Sequence, residues 1–151
     1  EIILAGRKIN DGMGSYIVTK TINELAKKGF SPVGSKVSIL GLTFKEDCPD
    51  LRNTKVVSII KGLEKFNCNI RVSDVHADER QAMDYYQIQL TPLEKVKSQD
   101  ALIIAVGHDE YKNLTVQELD EMLNPNGILI DVKSIFEKDM FKKSKITHWR
   151  L

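Results

Sequence analysis

The sequence predicts an α/β fold: a doubly wound parallel sheet preceded by an N-terminal helix. Short apolar runs, rich in Val and Ile, alternate with segments whose apolar residues recur every three or four positions. The short runs are almost continuously apolar, which is typical of parallel strands buried on both faces. With 151 residues, of which 42% are hydrophobic, the chain is long enough to bury a core of its own.

The first helix is predicted over residues 9–28, where apolar residues recur at helical spacing until Gly29 ends the pattern. A short polar linker follows before the period changes. We therefore divide the chain into a linking helix, residues 1–30, and a Rossmann-like domain, residues 31–151. Because the chain begins at Glu1 in the middle of a pattern, we expect it to be part of a longer protein.

The remaining elements alternate between strands and helices. Strands are predicted over residues 36–44, 69–75, 101–107 and 127–132. Helices are predicted over residues 56–63, 77–86, 92–97 and 115–123. In such sheets, ligands bind beyond the carboxyl ends of the strands. The turns after Gly41, Asp74, Val106 and Asp131 are therefore the places to look for a site.

Composition excludes several classes of partner. The 22 Lys and Arg residues against 21 Asp and Glu give a net charge of +1, so no overall field attracts nucleic acid or an anionic membrane. No apolar run approaches the roughly 18 residues of a membrane span, and no secretion signal is recognisable. Cys48 and Cys68 lack the paired spacing of a disulfide or zinc motif, which favours a reducing, cytoplasmic location.

The turn after the first strand carries the strongest candidates for a binding site, with cations and carboxylates in close sequence just before a helix. These residues are Phe44, Lys45, Asp47, Asp50 and Arg52. Two cations beside a helix N-terminus suit a phosphate group. The alternative is a solvated loop in which Lys45 and Arg52 pair with Asp47 and Asp50.

The same turn lacks the G-x-G-x-x-G fingerprint of dinucleotide binding, since only Gly41 is present. Asp74, at the end of the second strand, could bind a ribose hydroxyl, but it stands further from Gly41 than the roughly 20 residues typical of that contact. A capping or loop role for Asp74 is the preferred interpretation.

Three further residues were weighed as site candidates. His108 follows an apolar strand at the predicted crevice and could act as a base, but a hydrogen-bonded surface or capping residue is the commoner role. Cys48 could be a nucleophile, but no base is near it in sequence, which favours a structural role. Lys133, after the last predicted strand, is a third cation that could reach the crevice.

Residues 41–45, with Asp50 and Arg52, resemble the G-x-x-F-K-x-x-x-x-D-x-R signature of the UDP-glucose/GDP-mannose dehydrogenase family, in its carboxy-terminal domain. Residues 6–13 resemble the helix that joins the two Rossmann-like halves of that family. The segments that resemble the branch acting on UDP-N-acetylhexosamines are residues 105–111, 131–133 and 149–151. The resemblance spans nearly the whole chain.

The resemblance implies that Phe44, Lys45 and Lys133 contact a UDP-sugar and that Arg52 contacts NAD. NAD itself would be held mainly by the protein's own amino-terminal domain, which would also carry the catalytic cysteine, so no catalytic residue and no metal ligand are expected here. The whole enzyme would oxidise the C6 alcohol of the sugar to a uronate for surface polysaccharide biosynthesis. The helix over residues 1–30 would contribute to a homodimer or higher oligomer, or would pack on its own sheet.

Two alternative functions remain open at this point. The chain could be a non-catalytic Rossmann-like dimerisation or regulatory module, in which Lys45 and Arg52 form only surface ion pairs. It could also be a hydrolase that uses His108 and Asp109, although the sequence contains no nucleophile motif for that reaction.

Overall fold

The computed structural model describes the backbone of residues 2–151 and the side chains of residues 12–151. The helices are α1 Ile2–Lys27, α2 Val56–Glu64, α3 Glu79–Tyr86, α4 Asp109–Lys112 and α5 Val116–Met122. The strands are β1 Lys36–Leu40, β2 Asn69–Ser73, β3 Gln99–Ile104, β4 Leu123–Asp131 and β5 Thr147–Arg150. Single turns of 3-10 helix lie at Leu93–Lys95 and Lys138–Phe141.

The five strands form one parallel sheet in the order β2-β1-β3-β4-β5. After β2 has paired on one side of β1, the chain crosses to the other side to form β3, and β4 and β5 continue in that direction. The winding therefore reverses between β1 and β3, and their carboxyl ends open towards the crevice where such sheets bind ligands. The predicted doubly wound parallel sheet is confirmed.

Each face of the sheet supports its own apolar core, because successive side chains of a strand point to opposite faces. The face covered by α1 and α2 takes Val37, Ile39, Ala101, Ile103, Ile128 and Ile130 from the strands. The face covered by α4 and α5 takes Leu40, Leu102, Ile104 and Leu129. Burial on both faces explains why the strands read as continuous apolar runs.

Helix α1 packs against its own domain along the part whose side chains are described. Ile17, Val18 and Leu25 are buried in the first core. A Cβ built on Gly62 of α2 would lie 2.6 Å from Cγ2 of Val18, so the two helices are in direct contact. The alternative that α1 packs on the domain's own sheet therefore holds for this stretch, whereas the side chains of residues 6–11 lie outside the described ones.

Several boundaries differ from the sequence prediction for physical reasons. The first strand ends at Leu40 rather than residue 44, because Gly41 turns the chain with φ of +105°. The predicted helix over residues 92–97 is only the single turn Leu93–Lys95. Strand β5 and helix α4 were not predicted, since each has only 4 residues and no periodic pattern.

Two further features concern the helices and the cysteines. Among the helices of residues 2–151, none combines the length and the apolar character that crossing a bilayer requires. Cys48 and Cys68 are both free and partly exposed thiols.

We expect Gly41→Ala to destabilise the fold by about 2–4 kcal/mol, because a side chain there adopts an unfavourable left-handed conformation and overlaps its neighbours. The new Cβ would lie 2.6 Å from Cβ of Val106 and 2.7 Å from its backbone nitrogen. Urea unfolding followed by circular dichroism measures the change.

Gly12→Ala is the matched control, since Gly12 lies in α1 with nothing within 4 Å of an added Cβ. Alanine in an exposed helical position should stabilise the protein slightly, by about 0.5–1 kcal/mol. Equal urea midpoints for Gly41→Ala and the unsubstituted protein would contradict the close approach of β1 to Val106.

Candidate functional site

Asp74 lies at the carboxyl end of β2 and organises the crevice. Its Oδ2 accepts hydrogen bonds from the backbone N–H groups of Leu42 at 2.6 Å and Thr43 at 3.0 Å. Its Oδ1 accepts from those of His76 at 2.8 Å and Ala77 at 2.9 Å. The carboxylate therefore joins the turn after β1 to the turn after β2. The preferred loop role is confirmed, and no oxygen of Asp74 is left for a ribose hydroxyl.

The ionised form of Asp74 is stabilised by these contacts. Burial by itself would raise the pKa of this carboxyl group, but hydrogen bonds from His108 and from the backbone N–H groups of Leu42 and His76 lower the pKa to about 2. A buried carboxylate is tolerated only when its oxygens are hydrogen-bonded in this way.

His108 is completely buried at the start of α4. Its Nε2 lies 3.0 Å from Oδ2 of Asp74 and 3.2 Å from Oγ1 of Thr43, and its Nδ1 accepts the backbone N–H of Asp47 at 2.9 Å. Because a backbone N–H can only donate, the ring proton is on Nε2, facing Asp74.

His108 is hydrogen-bonded as expected and occupies the N-cap position of α4, but its side chain does not cap that helix. The expected surface position is wrong, and the base role loses its support. Both ring nitrogens have protein partners and the ring has no exposed area. The hydrolase alternative, which needed His108 beside Asp109 as an accessible base, loses its support for the same reason.

A smaller network of polar side chains surrounds the Asp74–His108 pair. Nε2 of His76 lies 3.0 Å from Oε2 of Glu110 and 3.8 Å from Oδ1 of Asp47. One donor atom each from Asp47, His76 and His108 lies within 4.8 Å of the others, which is close enough to share a metal ion. Because His108 already uses both nitrogens, hydrogen bonding accounts for the arrangement without a metal.

Phe44 and Lys45 lie on the turn that Asp74 and His108 hold. Phe44 is 52% exposed, and its backbone N–H donates to the carbonyl oxygen of Asp50 at 2.7 Å. Lys45 is exposed, and within residues 12–151 no carboxylate lies at ion-pair distance from it. Asp47 instead accepts the backbone N–H of Asp109, and this hydrogen bond lowers the pKa of Asp47.

Arg52 forms the surface ion pair that the alternative interpretation anticipated. Its Nε lies 3.0 Å from Oδ1 of Asp50, and its Nη2 lies 3.3 Å from Oδ2. These hydrogen bonds raise the pKa of Arg52 and lower that of Asp50. The Arg52 side chain is nonetheless 76% exposed, so its guanidinium is accessible to a ligand.

Lys133 lines a cleft of about 480 Å³ at the same edge of the sheet. The other residues that line it are Glu46, Gly107, Lys112, Ser134 and Ile135. The structure thus places Lys133 beside Glu46, the neighbour of Lys45 in the chain. Phe44, Lys45 and Arg52 are not among the residues that line this cleft.

A second buried carboxylate fixes the loop that carries Lys133. Asp131, at the carboxyl end of β4, accepts the backbone N–H groups of Ile135 and Phe136, each at 3.0 Å. Nε2 of His148 lies 3.1 Å from Oδ2 of Asp131. Neither Asp131 nor His148 was predicted from the sequence to have a role of this kind. The signal that could have found Asp131 is a single carboxylate ending an apolar strand, as at Asp74.

The ends of β1 and β3 are in close contact, because the backbone of Gly41 lies against Val106. Anion-binding groups are available on the exposed loops, at Lys45, Arg52 and Lys133.

The fold and the position of these loops define the chain as a doubly wound α/β domain that presents cations at the carboxyl edge of its sheet. The chain belongs to the UDP-glucose/GDP-mannose dehydrogenase family: residues 38–138 match the model of its UDP binding domain.

Two curated relatives are particularly similar. Protein CapL of Staphylococcus aureus is 41% identical over 151 residues, which are 100% of this chain and 35% of that protein. The UDP-N-acetyl-D-glucosamine 6-dehydrogenase of Pseudomonas aeruginosa is 39% identical over 139 residues, which are 92% of this chain and 33% of that enzyme. The chain thus spans about a third of the length of the relatives it matches.

Among solved structures, the chain is similar to the NDP-N-acetyl-D-galactosaminuronic acid dehydrogenase of Methanosarcina mazei Go1. The TM-score is 0.88 at 25% identity, over 99% of this chain and 31% of that enzyme. The fold is therefore shared with one part of a nucleotide-sugar dehydrogenase.

We expect Asp74→Asn to lower the free energy of unfolding at pH 7 by about 2–3 kcal/mol. The folded-state pKa of Asp74 is about 2, below its ordinary value of 3.8. A lowered pKa stabilises the folded state above the unfolded pKa, and that stabilisation disappears as the pH falls through the folded pKa.

The difference between Asp74→Asn and the unsubstituted protein should therefore shrink between about pH 4 and pH 2. Urea titrations at a series of pH values measure it. The control is Asp84→Asn on the exposed side of α3, which should shift stability by less than about 0.5 kcal/mol. A pH-independent loss at position 74 would contradict the assigned ionisation.

Proposed function

We propose that this chain is the carboxy-terminal, nucleotide-sugar-binding part of an NAD-dependent UDP-N-acetylhexosamine 6-dehydrogenase. The observation that carries the proposal is the exposed Phe44–Lys45 pair on a turn whose backbone is fixed on both sides by buried groups. Family membership and 39% identity to a UDP-N-acetyl-D-glucosamine 6-dehydrogenase support it.

Lys45 and Lys133 have the chemistry to bind the diphosphate of the substrate. An ammonium group donates charge-assisted hydrogen bonds to phosphate oxygens, which are stronger than neutral ones. Lys45 is exposed and has no carboxylate partner at ion-pair distance among residues 12–151, so binding a phosphate would break no existing ion pair. The half-exposed ring of Phe44 can pack on an apolar face of the nucleotide or the sugar.

Arg52 is proposed to contact NAD held mainly by an amino-terminal domain of the same protein. The oxidant would be NAD bound there: two NAD molecules in succession would each take one hydride, and water would supply the second oxygen of the carboxylate. The role of this chain would be to bind and orient the UDP-sugar and to neutralise the phosphates that meet at the boundary between the two domains. The catalytic cysteine would belong to the other domain.

The same proposal extends to the domain division and the oligomeric state. Residues 1–30 would form the linking and dimerisation helix, and residues 31–151 would form the UDP-sugar-binding domain. Met13 and Tyr16 of α1 are 37% and 50% exposed, which leaves apolar surface for a partner subunit. A homodimer or higher oligomer in the cytoplasm, acting in surface polysaccharide biosynthesis, remains the prediction.

A non-catalytic dimerisation or regulatory module is the second candidate. The observation that favours it is the Arg52–Asp50 pair, in which the arginine already has a partner. Under this alternative, substitutions of Lys45 and Arg52 would change nothing except surface charge.

Isothermal titration calorimetry with UDP tests the first proposal. We expect the protein to bind UDP, more weakly as salt is added, and Lys45→Ala to weaken binding about 10- to 100-fold, because a hydrogen bond to a charged group is lost. Lys36→Ala is the control, because Lys36 is also exposed but lies at the start of β1, at the opposite end of the strands. No UDP binding at low salt, with or without the amino-terminal domain, would contradict the proposal.

Steady-state kinetics of the natural full-length protein separate the roles of the two cations. Arg52→Ala should raise the KM for NAD about 10-fold or more and leave the KM for the UDP-sugar nearly unchanged, because the lost contact is to the cofactor. Arg71→Ala, on the exposed side of β2, is the matched control. Unchanged kinetics for both Lys45→Ala and Arg52→Ala would favour the non-catalytic module.

A further inference from the structure

Two buried side chains form hydrogen bonds with the backbone of the turn that carries Phe44 and Lys45. Asp74 binds the backbone N–H groups of Leu42 and Thr43, just before Phe44. His108 binds the backbone N–H of Asp47, just after Lys45. The short exposed stretch therefore has a fixed backbone at each end.

The hydroxyl of Thr43 extends this connection to Lys45. Thr43 Oγ1 lies 3.2 Å from Nε2 of His108 and donates to the carbonyl oxygen of Lys45 at 3.0 Å. Since Thr43 donates its own proton to Lys45, the single Nε2–H of His108 is shared between Oδ2 of Asp74 and Oγ1 of Thr43. These contacts connect Asp74 through His108 and Thr43 to the backbone of Lys45. Since Thr43 is also buried, solvent does not compete for these groups.

Asp74 and His108 cannot themselves bind a nucleotide. Asp74 is 9% exposed and His108 is 0% exposed, and the polar side-chain atoms of both are engaged by protein groups. Any effect they have on a ligand must pass through the turn.

We infer that the buried Asp74–His108 pair is a positioning device that holds the turn of residues 42–47 in its ligand-binding conformation before the nucleotide arrives. The inference rests on the proposed function insofar as UDP is the ligand. Prior ordering raises affinity because binding then does not have to bear the entropy loss of fixing the loop.

The directions of the hydrogen bonds explain why a histidine is needed at this position. The side chain must donate to Asp74 and accept from the N–H of Asp47 at the same time. A neutral imidazole offers one donor and one acceptor on opposite sides of a rigid ring. Amide side chains can replace only one of these contacts at a time.

Two substitutions separate the contacts. His108→Gln places an amide nitrogen near the position of Nε2, which keeps the donor to Asp74 and loses the acceptor for Asp47. His108→Asn places an amide oxygen near the position of Nδ1, which keeps the acceptor for Asp47 and loses the donor to Asp74. Ser38→Ala is the control, since it removes a buried hydrogen bond to Gln99 within the sheet.

The experiment measures amide hydrogen exchange and UDP affinity on the natural full-length protein. We expect faster exchange at Asp47 in His108→Gln and at Leu42 and Thr43 in His108→Asn. Both variants should bind UDP roughly 10-fold more weakly, a loss typical of one hydrogen bond. Ser38→Ala should lose comparable stability, yet keep the exchange of these amides and the UDP affinity of the unsubstituted protein.

The inference is overturned if the His108 variants match Ser38→Ala in amide exchange at residues 42–47 and in UDP affinity. If neither His108 variant folds, Thr43→Val decides instead: it removes the hydroxyl that joins His108 to the Lys45 carbonyl, and an unchanged UDP affinity would overturn the inference. If the unsubstituted protein does not bind UDP, the proposed function fails, while amide exchange at residues 42–47 still tests the positioning role.

Discussion

The shape of the crevice depends on the hydrogen bonds to one buried carboxylate, that of Asp74. Moving Asp74 out of water is costly unless its oxygens find hydrogen-bond donors. The donors come from three separate places, namely the turn after β1, the turn after β2 and His108 beyond β3. Because the carboxylate requires all of them, it fixes the relative positions of the three turns at the point where the sheet reverses its winding. A rigid ligand-facing edge follows from this requirement.

The end of β4 carries a second buried carboxylate, which is hydrogen-bonded in the same way. Asp131 is fully buried, binds two backbone N–H groups of the following loop and is paired with His148 of β5. In both places a buried carboxylate and a histidine hold a loop that presents a lysine to solvent. Strand β5 is thus more than a short addition to the sheet, because it supplies the histidine that completes the second pair.

The sequence predicts those parts of the structure that local pattern controls. Helix α2 was predictable because Val56, Ile59, Ile60 and Leu63 recur at helical spacing, and all four are buried. The Asp74–His108 pair was not predictable, because its members are 34 residues apart and only the parallel sheet brings them together. Periodicity reports which face of an element is buried, whereas contacts between strand ends depend on the strand order.

The division between buried and exposed groups also determines which of the two ion pairs can exchange its partner. The ion pair of Arg52 with Asp50 is exposed to solvent, and exposed ion pairs contribute little to stability. Exchanging Asp50 for another anion, such as a phosphate group, would therefore cost the protein little stability. The side chains of Asp74 and His108 have no exposed surface through which their partners could be exchanged in the same way. The surface pair therefore leaves the guanidinium of Arg52 accessible, while the buried pair maintains the turn from which Phe44 and Lys45 project.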